Sequence, residues 1–332
     1  MISIAMATYN GEKYIHEQLN SILSQTVADP LEIVACDDCS TDKTREILLE
    51  YAAKDSRIKV FFNDSNLGFA KNFEKAVSLC NGEFIAFSDQ DDIWMPEKLE
   101  ELLACIGELD FVCSNALLVD SSDVPFGFTM KQACDYKYVP SDSLSILKRL
   151  AHRNFVQGST MLVRSSFLKG APSVPKEIGY HDWWLAFNSC ANNGFHYIDK
   201  CLIRYRRHER TVTEANAKVT LKDDLKRKAS SLKEYNEAVS GYETQKNILN
   251  VVLSGIVFPA VQEKILLDAL RYYSELADKT VWSFFYFAKN CKYIYLDKNV
   301  FRNGLRIIKR FCGVLYWHFY FRKKILGSEQ KQ

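Results

Sequence analysis

Three carboxylates stand within four residues at Asp89-Gln90-Asp91-Asp92, directly behind the apolar run Phe84-Ile85-Ala86-Phe87. Stripping water from an unpaired carboxylate costs several kcal/mol. Such a cluster at the end of a buried strand therefore calls for a cation or a hydrogen-bonding ligand. The carboxyl ends of strands are also where open α/β sheets place their ligands. A hard divalent cation held for a phosphate-bearing substrate satisfies both demands. Two more polar groups follow the same pattern: Thr8-Tyr9-Asn10 behind Ile2–Ala7, and Asp37-Asp38-Cys39-Ser40 behind Leu31–Ala35. Each alone is ordinary turn chemistry. Three of them at successive strand ends imply convergence on one edge of a sheet. Cys36-Asp37-Asp38-Cys39 has the form C-x-x-C, but the intervening aspartates oppose the low-pKa thiolate that redox chemistry needs.

The elements that would position these groups alternate strand and helix. Ile2–Ala7, Leu31–Ala35, Ile58–Phe62, Phe84–Phe87 and Phe111–Cys113 read as short buried strands. Between them, Ile15, Leu19, Ile22 and Leu23 mark one helical face, and Ile47, Leu48 and Tyr51 another. Ser40, Thr41 and Asp42 offer capping oxygens to the second helix. A third helix opens at Asn66-Leu67-Gly68 and closes at Asn81-Gly82, with Gly82 in the C′ position. A fourth starts at Pro96 and carries Leu99, Leu102, Leu103 and Ile106. This order predicts an α/β fold, a mostly parallel sheet with helices on both faces.

Composition excludes several classes. The 332-residue chain carries a net charge of +2, and its main body has no nucleic-acid-like basic footprint. The ten cysteines are scattered without a framework, as in reduced cytosolic proteins. Met1-Ile2-Ser3-Ile4-Ala5 has no basic region ahead of an apolar one, so no secretory leader is expected. No uncharged apolar run reaches the ~18 residues of a spanning helix. No two glycines are two residues apart, which excludes G-x-G-x-x-G, and neither a P-loop nor H-E-x-x-H nor G-x-S-x-G occurs.

With these motifs in place the chain resembles the family 2 nucleotide-sugar glycosyltransferases, enzymes of the GT-A fold. The resemblance rests on Ile2–Asn10, Asp37-Asp38-Cys39-Ser40-Thr41-Asp42-Lys43-Thr44, Asn66-Leu67-Gly68 and Asp89-Gln90-Asp91-Asp92. Phe87-Ser88-Asp89-Gln90-Asp91-Asp92-Ile93-Trp94 is similar to the bacterial rhamnosyltransferase-like branch that builds cell-surface polysaccharides. So are Gln157-Gly158-Ser159-Thr160, His181-Asp182-Trp183-Trp184 and Tyr205-Arg206-Arg207-His208. The motifs occur in the family's order and span residues 1–213, the expected catalytic domain. Residues 214–332 form an expected helical C-terminal region.

The resemblance implies roles. Asp91 matches the metal-contacting aspartate of a D-x-D motif, with Asp89 at its first position near ribose and metal-bound water. The metal would be Mn²⁺ or Mg²⁺, neutralising charge on a departing nucleoside diphosphate. Asp38 matches the residue that accepts from a pyrimidine base, and Thr8, Tyr9 and Asn10 line the same nucleoside pocket. Lys71 is placed to pair with ribose or diphosphate, with a solvated helix lysine as the alternative. Asp182 matches the general base of inverting transfer, and a helix N-cap is its competing role. Trp183 and Trp184 would stack on an acceptor sugar or sit in the core. His208 would complete the metal site, as a ligand better suited to Mn²⁺ than to Mg²⁺. Arg206 and Arg207 suit diphosphate oxygens. Asp92 is expected to cap the turn into the Pro96 helix.

The last third differs in chemistry. Residues 281–324 hold ten Lys/Arg and one acidic residue, Asp297, among many aromatics. Basic, aromatic-rich helices lie well on anionic membranes, where a lipid-linked acceptor would be met. The alternative is a helical cap packed on the catalytic domain or a second subunit. The expected enzyme is an inverting, metal-dependent glycosyltransferase using a UDP- or dTDP-linked donor, cytoplasmic and peripheral on the inner face of the cell membrane. Two other classes compete. A nucleotidyltransferase would carry a glycine-rich loop where this chain has Thr8-Tyr9-Asn10-Gly11. A non-catalytic sugar-nucleotide-binding subunit would not need Asp91 and Asp182.

Overall fold

The computed structural model describes residues 1–134, 139–208, 232–276 and 286–290. The chain divides into two compact units, Met1–Cys134 with Asn154–Lys218, and Asp135–Arg153 with Val219–Gln332.

The first unit opens with the expected alternation. It runs β1 (Ile2–Thr8), α1 (Ile15–Leu23), β2 (Leu31–Asp37), α2 (Thr44–Lys54), β3 (Ile58–Phe62), α3 (Phe69–Leu79) and β4 (Phe84–Ser88). Next come β5 (Ile93–Trp94), α4 (Lys98–Ile106), β6 (Phe111–Val119), β7 (Pro125–Thr129) and the short α5 (Met130–Ala133). After an excursion into the second unit the chain returns through β8 (Met161–Arg164), α7 (Ser165–Gly170), α8 (His181–Cys190) and β9 (Phe195–Arg206). The sheet order is β3-β2-β1-β4-β8-β6-β9-β5, with β7 on β6. β3, β2, β1 and β4 are parallel neighbours. Beyond β4 the sheet is mixed: β8 is antiparallel to both β4 and β6, while β9 is parallel to β6.

The period-2 pattern of the strands explains why both faces are covered. Ile2, Ile4 and Met6 of β1 join Ile15, Leu19 and Ile22 of α1 and Leu99, Leu102 and Ile106 of α4 in one core. Ala5, Val34, Cys36 and Ile85 meet Ala76 and Cys80 at the end of α3 in another. A leucine-sized side chain buried in either layer contributes roughly 1.5–3 kcal/mol.

Two local expectations change. Gly82 does not serve as a left-handed helix stop; α3 ends at Leu79 with Cys80 extended. Instead, a Cβ at Gly82 would lie 2.6 Å from the Ser3 backbone nitrogen, so the glycine lets the entry to β4 run against β1. Asp92 does not cap the Pro96 helix: its Oδ1 accepts the Arg206 N–H at 3.1 Å, tying the acidic loop to the end of β9.

The second unit is helical, with α6 (Ser143–Leu150), α9 (Leu232–Gly255) and α10 (Ala260–Leu276). Ile146, Leu147, Leu150, Leu249, Val252, Leu266 and Ala269 are buried. His152 is also buried and lies 2.9 Å from the Tyr273 hydroxyl, with burial pushing its pKa down to about 3. The imidazole is therefore a neutral core group. Of the basic, aromatic segment 281–324, all but 286–290 lies outside the described residues. Within those five, Phe287 is buried, and the Tyr286 hydroxyl lies 3.4 Å from His152 Nε2, so these two aromatics pack inside the helical unit. No helix among the described residues is long and apolar enough to cross a membrane.

Candidate active site

The carboxyl ends of β1, β2 and β4 are adjacent by register, Thr8 opposite Asp37 and Met6 opposite Ser88. The chain turns to β2 on one side of β1 and to β4 on the other, which makes this edge a topological switch point. A cavity of about 1050 Å³ opens there. It is lined by Thr8, Tyr9, Asn10, Asp38, Asp89, Asp91, Asp182 and His208, among others. Residues from five separate chain segments thus share one space.

The part of the cavity at the ends of β1 and β2 is laced together by hydrogen bonds of its polar side chains. Asn10 holds φ 50°; its N–H donates to Ser40 Oγ and its Oδ1 accepts the Thr41 N–H, both at 2.8 Å. Thr8 is buried and its hydroxyl donates to Asp37 Oδ1 at 3.2 Å. Asp38 Oδ1 accepts from Asn63 Nδ2 and from the Leu67 N–H, and its Oδ2 from the Gly68 N–H. It therefore fixes the Asn66-Leu67-Gly68 turn while lining the cavity. The N-cap of α2 is Lys43, which has no side-chain cap, rather than Ser40, Thr41 or Asp42; Asp42, just before it, accepts the Thr44 N–H through Oδ1.

Gln90 joins the first loop to the acidic one. Its amide oxygen accepts the Tyr9 N–H at 2.8 Å and its amide nitrogen donates to the Tyr9 carbonyl at 2.9 Å. Gly11 makes room for this clamp, since a Cβ there would fall 2.2 Å from Gln90 Oε1.

The acidic loop is held from behind and across. Desolvation, reinforced by the charges of Asp91 and Asp182, pushes the Asp89 carboxyl up to about 7. Burial, with the charges of Asp91 and Asp89, raises that of Asp92 well above its ordinary value. Behind them Lys98 is completely buried, its Nζ donating to the Ser159 carbonyl at 2.7 Å and lying 3.2 Å from the Trp94 ring centroid. Burial drives its pKa well down, against the opposing pull of Asp92 and Asp89. The antiparallel pairing of β5 with β9 brings His208 to the loop. His208 Nε2 lies 2.8 Å from Asp91 Oδ2, and its ring is 4.9 Å from that of Tyr14.

The donor set suits a hard divalent cation in part. Asp89 and Asp91 offer carboxylate oxygens and His208 an imidazole. Desolvation, with the neighbouring charges of Asp91 and Asp182, raises the Asp89 carboxyl, and a bound cation would oppose that rise. Among the described residues, however, no three His, Cys, Asp or Glu side chains form a preformed cage. A cation here would have to take most of its ligands from substrate oxygens and water.

Also lining the cavity, Asp182 sits in the first turn of α8, whose N-cap is Tyr180. Asp182 Oδ1 accepts from Asn154 Nδ2 at 3.0 Å and Oδ2 from the Gly158 N–H at 3.2 Å. It also accepts the Trp183 N–H; the N-cap position belongs to Tyr180, so the carboxylate lines the cavity without serving as the helix N-cap. Burial raises its pKa to about 6, against the lowering effect of those hydrogen bonds. His181 stacks on Phe87 at 4.9 Å and lines the cavity, held neutral by burial with a pKa of about 4.

Several expected residues lie elsewhere. Trp183 and Trp184 are buried and do not line the cavity. Trp184 donates its indole N–H to the Pro172 carbonyl, and Trp183 stacks on Phe187. They are core residues, because the inner face of α8 carries them away from the opening. Lys71 is exposed on α3 and is not among the lining residues, whereas Phe69, Asn72 and Phe73 of the same helix are. Arg206 is not free for phosphate: its guanidinium donates to the Asp91 and Ser121 carbonyls and pairs with Glu17. The Cys36 thiol is buried in β2 and raised to about 11, which removes the redox reading. Lys98 and Gln90 went unremarked in sequence. The signal for Lys98 was present, since it shares a helix face with Leu102 on an otherwise apolar stripe.

Comparison with known proteins agrees with this architecture. The model of the family "Glycosyl transferase family 2" matches residues 3–170. A dTDP-rhamnosyl transferase of Shigella flexneri is 32% identical over 220 residues, 64% of this chain and 74% of the relative. A UDP-Glc:alpha-D-GlcNAc-diphosphoundecaprenol beta-1,3-glucosyltransferase of Escherichia coli is 36% identical over 138 residues, 41% of this chain and 53% of the relative. Among solved structures, S. aureus TarS 1–349 in complex with UDP-GlcNAc superposes with a TM-score of 0.56 at 22% identity. That match covers 88% of this chain and 81% of TarS. The chain belongs to glycosyl transferase family 2 and has the GT-A fold. It is a glycosyltransferase acting on nucleotide sugars, with relatives in polysaccharide biosynthesis.

Proposed function

We propose that the enzyme is an inverting, metal-dependent transferase that moves a sugar from a UDP- or dTDP-linked donor to a lipid-linked glycan. The observation that carries this reading is the presence of two carboxylate centres in one cavity. Asp89 and Asp91, beside His208, stand at the end of β4, and Asp182, with its raised pKa and near enough for its charge to act on Asp89, stands at the head of α8. The names of the two sequence relatives support dTDP or UDP as the nucleotide, and the glucosyltransferase supports a diphospholipid-linked acceptor.

In this reading the pyrimidine nucleoside lies against Thr8, Tyr9, Asn10 and Asp38, with the diphosphate toward Asp89 and Asp91. Those two aspartates and His208 would hold Mg²⁺ or Mn²⁺, which neutralises charge on the departing diphosphate when bound. Asp182 accepts the proton of the acceptor hydroxyl as that oxygen bonds to the anomeric carbon. The electrons of the broken carbon–oxygen bond leave with the nucleoside diphosphate. Attack from the side opposite the leaving group inverts the anomeric centre. A pKa of about 6 suits the base, which is ionised at neutral pH yet still basic enough to take a proton. Gln90, Asn154 and Gly158 position the reacting groups through Tyr9 and Asp182.

The test is donor hydrolysis and transfer with a panel of UDP-, dTDP- and GDP-sugars. Activity is expected only with added Mn²⁺ or Mg²⁺, and is expected to vanish with EDTA or Asp91→Ala. Turnover that ignores both sinks the metal role.

A further inference from the structure

The cavity mouth carries two exposed aromatic rings that the donor site does not use. Phe69 is 44% exposed and Tyr180 is 41% exposed, and both line the cavity. Their ring centroids are 6.3 Å apart with planes at 41°. Large apolar side chains facing water singly need no explanation, but an adjacent pair at the rim of a ligand site does.

Both rings are held by pinned helix starts. Phe69 is the first residue of α3, directly after Gly68, whose N–H is bound by Asp38. Tyr180 is the N-cap of α8, two residues before Asp182, and its carbonyl accepts the Trp184 N–H. One turn further along α3, Phe73 packs on Phe87 and His181 beneath the rim. The aromatic wall therefore runs from the buried, neutral His181 ring up to an open edge.

We infer that Phe69 and Tyr180 form a stacking platform for a pyranose ring of the glycan acceptor. This rests on the transferase reading above. Position decides between donor and acceptor. Tyr180 stands two residues before Asp182 at the head of α8, and both rings are far more exposed than Asp182, which is only 9% exposed. The substrate whose hydroxyl must reach Asp182 is therefore the one that meets these rings. A sugar ring offers an apolar C–H face to an aromatic side chain and hydroxyls at its edge. The Tyr180 phenol adds a polar handle to an apolar body. The platform takes the place that sequence gave to Trp183 and Trp184, which are committed to the core.

The experiment measures two affinities in the same proteins. Saturation-transfer NMR follows methyl β-D-glucopyranoside, methyl β-D-N-acetylglucosaminide and methyl α-L-rhamnopyranoside on enzyme loaded with Mg²⁺ and UDP or dTDP. Calorimetry follows UDP and dTDP. The Phe69→Ala/Tyr180→Ala variant is expected to lose about tenfold or more in glycoside affinity, as expected when two stacking surfaces are removed. Tyr180→Phe, which keeps the ring, is expected to stay within about threefold, and nucleotide affinity to remain unchanged in both variants. Equal glycoside binding by the double alanine variant and the wild type overturns the platform. So does nucleotide affinity that falls in parallel, which would assign the rings to the donor. Wild-type enzyme that binds nucleotide but none of the glycosides overturns it as well. If the wild type binds neither UDP nor dTDP, the donor-site reading fails, and the platform with it.

Discussion

Asp182→Asn separates the catalytic role of this carboxylate from its structural one. The side chain keeps its shape, and an asparagine Oδ1 can still accept from Asn154 and the Trp183 N–H. The second position becomes an NH₂ facing the Gly158 N–H, which loses its acceptor; leaving one such group unpaired costs about 1–3 kcal/mol. Against this stands the relief of a buried charge. The folded state raises the Asp182 pKa from 3.8 to about 6, so it disfavours the ionised form by about 3 kcal/mol. The folded protein binds this proton more tightly than the unfolded chain. The penalty is therefore absent below the unfolded value, grows as pH rises from about 4 to about 6, and is complete above that. At pH 7.5 the two effects nearly cancel, and the variant is expected to melt at or slightly above the wild-type temperature. Transfer should nevertheless fall by about 10²–10⁴, the usual contribution of a general base, while nucleotide binding persists. Wild-type kcat/KM should decline below pH 6, and the residual activity of the variant should lack that limb. Differential scanning calorimetry and a pH–rate profile measure both sides. A variant that retains a tenth of wild-type transfer, or that shows the same acidic limb, refutes the assignment.

Further outcomes test the supporting structure. Gly11→Ala should displace the Gln90 side chain and release its hold on Tyr9. Because that side chain is flexible, the protein should fold normally and show a raised donor KM in steady-state kinetics. Gly82→Ala instead meets the Ser3 backbone, and a rigid clash of this kind should cost about 1–3 kcal/mol, read as a lower urea midpoint. Lys98→Met leaves the Ser159 carbonyl unpaired and removes the cation behind Asp89 and Asp92. The expected loss is about 3 kcal/mol or more, measured by denaturation at pH 7.5. An unchanged midpoint would remove Lys98 as the countercharge of the acidic loop.

The first half of the sheet was legible in the chain, whereas two local details, the Gly82 helix stop and the Asp92 cap, were not. The parallel strands β1 to β4 follow from period-2 apolar runs separated by helical stripes, and both signals act within a dozen residues. The polar groups at the ends of β1, β2 and β4 were legible because strand order places such ends on one edge. Failures arose where a side chain's fate depends on what packs against it. Trp183 and Trp184 sit beside Asp182 in sequence, but 100° of rotation per helical residue sends neighbours to different surroundings. Arg206 carries a fork fit for phosphate, and Glu17, brought in by α1, occupies it. The glycine at 82 was legible as a glycine but not its reason, since Ser3 lies 79 positions away.

The sequence by itself determined the alternating elements from β1 to α4, the family and the acidic loop, because each is written in short-range pattern and residue type. Only the tertiary structure decided how the carboxylates are used. The β5–β9 pairing brings His208 to Asp91, and the packing of α4 buries Lys98 behind Asp89 and Asp92. Contact with Asn154 and Gly158 orients Asp182. Burial and neighbouring charge, which set each group's affinity for a proton or a cation, are properties of the packed chain and have no local code.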